Sequence, residues 1–183
     1  MTITERLRGR RVAIPIAEGF DPHEFWYAYY RFNEEGADVV VPAPKPGILY
    51  SEAKSVHDRP FEATRTIEEV ADEDFDLVYI ATSVTGSLRI RVHEPALRMV
   101  RKAMDEGNFV CSICHGIWVL ASAGVLKGRT VACPSDQADD AIAAGATYVQ
   151  DRAVRDGNLI TAVYFGYLPD HFRLIMSAML ETA

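Results

Sequence analysis

Short apolar runs alternate along this chain with stretches of helical pattern, and that alternation restricts its fold more than any other feature. RVAIPIA (11–17), ADVVVPAP (37–44), FDLVYIA (75–81) and FVCSI (109–113) read as buried strands, too short for helices and rich in β-branched residues. Between and after them lie DPHEFWYAYYRFNEEG (21–36), HEPALRMVRKAMDEGN (93–108) and HGIWVLASAG (115–124). In the first of these, Asp21 is placed to cap the helix, Pro22 suits its first position, and Gly36 can end it. The 93–108 helix ends at Gly107 and the 115–124 helix stops at Gly124. Further on, GRTVAC (128–133) reads as another strand. SDQADDAIAAG (135–145) reads as a helix capped by Ser135 or Asp136, and AVRDGNLITAV (153–163) as a hairpin turning at Asp156-Gly157. An amphipathic helix from about Pro169 to Leu180 follows, whereas 45–74 is irregular, a hairpin excursion or an edge. Strands and helices in this order predict an α/β protein of three layers, a mostly parallel sheet with helices on both faces in the flavodoxin manner. In such sheets reactive groups gather at the carboxyl ends of the strands.

With no repeat or low-complexity linker, the 183 residues (1–183) are expected to form a single domain. The net charge of −7 opposes nucleic-acid and anionic-membrane partners, both of which need a basic surface. No apolar run approaches the roughly 20 residues of a membrane span, and the N-terminus lacks the apolar segment of a signal peptide. Three cysteines without CxxC spacing suggest free thiols in a reducing, cytoplasmic setting. His23-Glu24, His57-Asp58 and His93-Glu94 lack metal-ligand spacing and no phosphate loop is present, so neither metal nor cofactor is expected.

One residue stands where a strand runs directly into a helix. Cys114 closes the run FVCSIC, and His115-Gly116 opens the helical pattern. A sharp bend there pushes the side chain out of both elements, the geometry of a nucleophile elbow. Gly116 lets the helix begin uncrowded and the backbone donors near it can serve an oxyanion. The helix start favours a thiolate, and His115 is placed to act as base or orienting group. The alternative is that Cys114 is a small buried apolar residue, which is the reading preferred for Cys111 and Cys133.

VCSICHGIWVLASAGVLKGRTVAC resembles the elbow segment of the PfpI family of the ThiJ/PfpI superfamily, related to class I glutamine amidotransferases. The likeness extends to DDAIAAGATYVQDRAVRDGNLITA and to IPIAEGFDPHEF with RFNEEGADVVVPAP, and so covers nearly the whole chain. The resemblance implies that Cys114 is the nucleophile beside His115. It implies that Glu18, in AEGF, is the acid that hydrogen-bonds the cysteine sulfur, and that Glu94 serves the histidine of a neighbouring subunit. The last role requires a homodimer or larger homo-oligomer. In place of the PGG the family usually has after its third strand, this chain reads IATSVTGSLRI, with Thr82 and Ser83 at the position of oxyanion or substrate contacts. TAVYFGYLPDHF replaces the usual T-S-R, and with Trp26, Tyr27, Tyr29 and Tyr30 would form an aromatic rim unless these residues are core packing.

The resemblance implies a cysteine-dependent enzyme acting on a small carbonyl or amide substrate: a glyoxalase, deglycase, amidase or peptidase. An isonitrile hydratase and a non-enzymatic redox-sensing or stress-protective protein are the alternatives.

Overall fold

The computed structural model describes residues 5–53 and 59–181, so the His57-Asp58 pair lies outside the described residues. The expected alternation folds into β1 (Arg11–Ala13), α1 (Pro22–Glu34), β2 (Asp38–Val40), β3 (Gly47–Leu49), β4 (Phe61–Ala63), α2 (Ile67–Val70), β5 (Leu77–Thr82) and α3 (Val84–Ile90). Then follow α4 (Glu94–Asp105), β6 (Phe109–Cys114), α5 (Ile117–Ala123), β7 (Thr130–Val131), α6 (Ala138–Ala143), β8 (Thr147–Tyr148), β9 (Ala153–Asp156), β10 (Leu159–Ala162) and α7 (Leu168–Glu181). Among the described residues a six-stranded sheet runs in the order β2-β1-β5-β6-β10-β9, parallel throughout except for the edge strand β9.

Alternation along the central strands sends side chains to two cores. Tyr79 of β5 and Cys111 and Ile113 of β6 join Phe25, Ala28 and Phe32 of α1 and Phe172 and Ile175 of α7. Val78, Ile80 and Val110 point the other way, onto Met99 and Val100 of α4 and Val119 and Leu120 of α5. The fold is thus the expected mostly parallel sheet with helices on both faces. Asp21 caps α1 by accepting from the His23 and Glu24 peptide N–H groups at 2.9 and 3.0 Å.

Two local expectations change. The first strand is shorter than 11–17, because Pro15 has no N–H to give; Ile14 and Ile16 still donate to Val40 and Pro42 carbonyls. GRTVAC does not enter the main sheet: only Thr130–Val131 is strand, paired with β8 in a separate two-stranded ribbon. The 45–74 excursion does contain a hairpin, β3 with β4. The aromatics of α1 serve packing: Phe25, Trp26 and Tyr29 pack on Phe61 of that hairpin, Arg59 lies over Trp26, and Tyr27 meets Phe172 of α7.

His171 is fully buried on α7. It reaches the Ile160 carbonyl through Nε2 at 3.3 Å and leaves Nδ1 unpartnered. Burial outweighs that bond and lowers its pKa to about 4 from 6.5. The unfolded chain therefore takes up this proton first as pH falls through 6.5, and the folded state is weakened until its own pKa is passed. The loss between pH 6.5 and 4 is about 3 kcal/mol. Urea titrations at pH 7 and pH 4.5 are expected to show a smaller stability difference for His171→Gln than for the parent chain; an equal difference would remove His171 as the cause.

Candidate functional site

Strand β6 stays in register with β5 to its last residue, where Thr82 pairs with Cys114. There the chain turns at once. Cys114 has φ 53°, the one positive value at a non-glycine among the described residues. This is the left-handed region, costly for a residue with a Cβ and held here by pairing on one side and the helix start on the other. The Gly116 N–H closes the turn on the Ile113 carbonyl at 3.0 Å, so it is not available as an oxyanion donor as the sequence suggested. Gly116 is required for another reason: a Cβ there would collide with Ser112 Oγ and stand 3.0 Å from the Ile80 and Ile113 carbonyl oxygens. Gly116→Ala is expected to lower stability by about 1–3 kcal/mol and to slow alkylation of Cys114, read by urea unfolding and by iodoacetamide labelling.

Cys114 is half-buried, whereas Cys111 and Cys133 are buried. Its Sγ lies 3.1 Å from His115 Nδ1. The acid beside the sulfur is Glu24, not Glu18. Glu24, in the first turn of α1, is fully buried, and its carboxyl group faces the Cys114 thiol and the Thr82 peptide N–H. Both Oε1 and Oε2 are buried without a formed hydrogen bond. Glu18 instead accepts the Tyr50 N–H at 2.9 Å, directly after β3. The helical period explains the exchange: Glu24 continues the buried stripe of Ala28 and Phe32, whereas Glu18 precedes the turn at Gly19.

Burial, reinforced by the Asp21 charge, holds the Glu24 carboxyl well above the usual carboxylate range. Burial also pushes the Cys114 thiol up, as would a charged Glu24, while the His115 peptide N–H favours thiolate. The two acids form one coupled pair. A Glu24 that keeps its proton exerts no charge repulsion on the thiolate. Burial lowers the His115 pKa against the opposing charges of Asp136, Glu52 and Asp21. Glu52, unforeseen because it lies in the irregular 45–74 stretch, is bound by the Thr85 N–H and hydroxyl. Against the penalty of burial, those bonds keep it below the usual carboxylate range.

Thr82 and Ser83 stand at the site, but their hydroxyls are engaged within the chain. Thr82 Oγ1 donates to the Ser83 carbonyl at 3.3 Å; Ser83 Oγ donates to the Gly19 carbonyl and accepts the Gly86 N–H, capping α3. Within one chain Glu94 is not brought to Cys114. It opens α4, exposed and ion-paired with Arg101. Among the described residues no three His, Cys, Asp or Glu side chains cluster as metal ligands, and no helix is long and apolar enough to cross a membrane.

Comparison with known proteins finds relatives of the chain and of its fold. A deglycase of Pyrococcus abyssi is 35% identical over 152 residues, which cover 83% of this chain and 89% of the relative. The deglycase PfpI of Pyrococcus furiosus is 33% identical over the same span of 152 residues and the same shares of both chains. Among solved structures, a two-domain protein of Anabaena variabilis with DJ-1/ThiJ/PfpI-like and ferritin-like domains superposes with a TM-score of 0.86 at 28% identity, covering 93% of this chain and 50% of that one. Drosophila melanogaster DJ-1beta shares the fold at a TM-score of 0.84 and 22% identity, covering 92% and 89% of the two chains. The family model of the DJ-1/PfpI family matches residues 10–178, and the chain belongs to that family.

Proposed function

We propose that this chain is a cysteine-dependent enzyme of the deglycase or glyoxalase type, acting on 2-oxoaldehydes, free or carried as adducts. The observation that carries the reading is the fully buried Glu24 carboxyl facing Cys114 with neither oxygen in a formed hydrogen bond, since a structural acid would have been given partners or replaced by an apolar residue. The names of the archaeal relatives support it.

In this scheme His115 takes the Cys114 proton, and Sγ forms a C–S bond to the aldehyde carbon while Glu24 gives its proton to the carbonyl oxygen. The hemithioacetal then loses its C1 proton to the Glu24 carboxylate, passes through an enediol and is reprotonated at C2. The product is the thioester of a 2-hydroxy acid. Water cleaves it, releasing the acid and restoring the thiol. The net reaction adds one water to methylglyoxal to give lactate, with no external oxidant or reductant. Lactate formation from methylglyoxal without glutathione tests this, and a parent protein that makes none rejects it.

A second copy of the chain completes the site by bringing Glu94 to His115. Supporting this, the surface beside Glu94 is apolar: Leu88 is 51% exposed and Val92 77%. Light scattering at micromolar concentration is expected to give a dimer or larger; a monomer mass removes the role of Glu94.

A further inference from the structure

The carboxyl end of β10 carries an aromatic feature that the steps above do not use. Ala162, the last residue of β10, pairs with Ile113, which precedes Cys114. The chain beyond it therefore passes over the same end of the sheet as the thiol. There Phe165 stacks on His23 with ring centroids 4.9 Å apart and 23° between planes. Tyr164 meets Phe165 and Tyr167 edge-on at 5.3 and 4.8 Å. Gly166 makes room for this: a Cβ on residue 166 would stand 2.7 Å from the Tyr164 ring. On the opposite side, His23 is tied to the site by its neighbours in sequence. It follows Asp21, whose charge reaches both Cys114 and His115, and precedes Glu24.

Phe165 is 47% exposed and Tyr164 39%. Rings held this firmly yet left open to solvent present a π-face without the ordering cost of recruiting one. The carboxylates whose charges reach His115, namely Asp136, Glu52 and Asp21, disfavour an anionic guest at the site. We propose that the His23–Phe165 ledge is the specificity element of the Cys114 site and selects substrates whose carbonyl bears an uncharged planar aryl group, an aryl 2-oxoaldehyde being the simplest. The inference rests on the function proposed above for the reaction, but not for the selection.

Two measurements separate the two. The first compares kcat/KM for phenylglyoxal and methylglyoxal in the parent chain, Phe165→Ala and Phe165→Tyr. The phenylglyoxal-to-methylglyoxal ratio is expected to fall about tenfold in Phe165→Ala and to hold in Phe165→Tyr. The second needs no turnover. Alkylation of Cys114 by phenacyl bromide and by bromoacetone, each forming a C–S bond with loss of bromide, is compared with the same reactions of N-acetylcysteine. The parent chain is expected to favour the phenacyl reagent, and Phe165→Ala to lose that preference. If neither 2-oxoaldehyde is turned over but the phenacyl preference stands and depends on Phe165, the reaction proposed above fails and the ledge survives. A phenacyl preference that is absent, or unchanged in Phe165→Ala, overturns the ledge. So does a Phe165→Ala variant that loses both reagents equally while its mass by light scattering falls, since the ledge would then be a surface between copies.

Discussion

Cys114→Ala is expected to lower lactate formation from methylglyoxal at least about a thousandfold, the loss typical when a covalent nucleophile is removed. The variant should fold, because the sulfur is half-buried and Ala fits the space. Alanine also bears the 53° φ no worse than cysteine does. Mass spectrometry of the parent chain after brief iodoacetamide treatment should find the label on Cys114 first. Cys111 is sealed under α1 and α7 and Cys133 is buried as well, so of the three sulfurs that of Cys114 is the most open to reagent. Labelling of Cys133 before Cys114, or full activity in Cys114→Ala, would reject the thiol mechanism.

Removing the acid beside the sulfur should have the second largest effect. Glu24→Gln keeps the size and a donor but cannot pass a proton, so turnover is expected to fall about a hundredfold. Glu18→Gln, which retains an acceptor for the Tyr50 N–H, should stay within about twofold. Stability should move the other way. An acid whose folded pKa is raised keeps its proton in the folded state while the unfolded chain ionises above its ordinary 4.5. The folded state therefore loses stability as pH climbs above that value. Glu24→Gln removes this linkage, so the variant should be more stable than the parent at pH 7, with a gap that narrows toward pH 4.5. Lower stability at neutral pH, together with full activity, would mean that Glu24 is a packing residue.

Much of this arrangement can be read in the sequence. The bend at Cys114 is visible because a β-branched run meets a helical pattern without a connecting loop, and the mostly parallel sheet follows from the alternation of elements. The acid was misplaced because Glu18 lies at a strand end in the linear order. The signal for Glu24 was present in the spacing 24, 28, 32, which puts a carboxylate on an otherwise apolar stripe. Helix α3 was missed because TSVTGSLRI is rich in β-branched residues and glycine; the Ser83 cap and its bond to Gly19 hold it together. Residues 128–133 have the composition of a strand, and composition carries no information on which sheet a strand joins.

The strand that carries Cys114 lies between neighbours of very different origin. One side pairs with β5, made earlier, and the other with β10, close to the C-terminal end of the chain. During synthesis, then, β6 remains an open edge with its thiol at the tip until β10 emerges and docks. The interval before that docking is when the nascent chain is most prone to wrong strand pairing and its cysteine most accessible to oxidants. Slow translation near residues 159–162 would lengthen that interval without altering a single native contact.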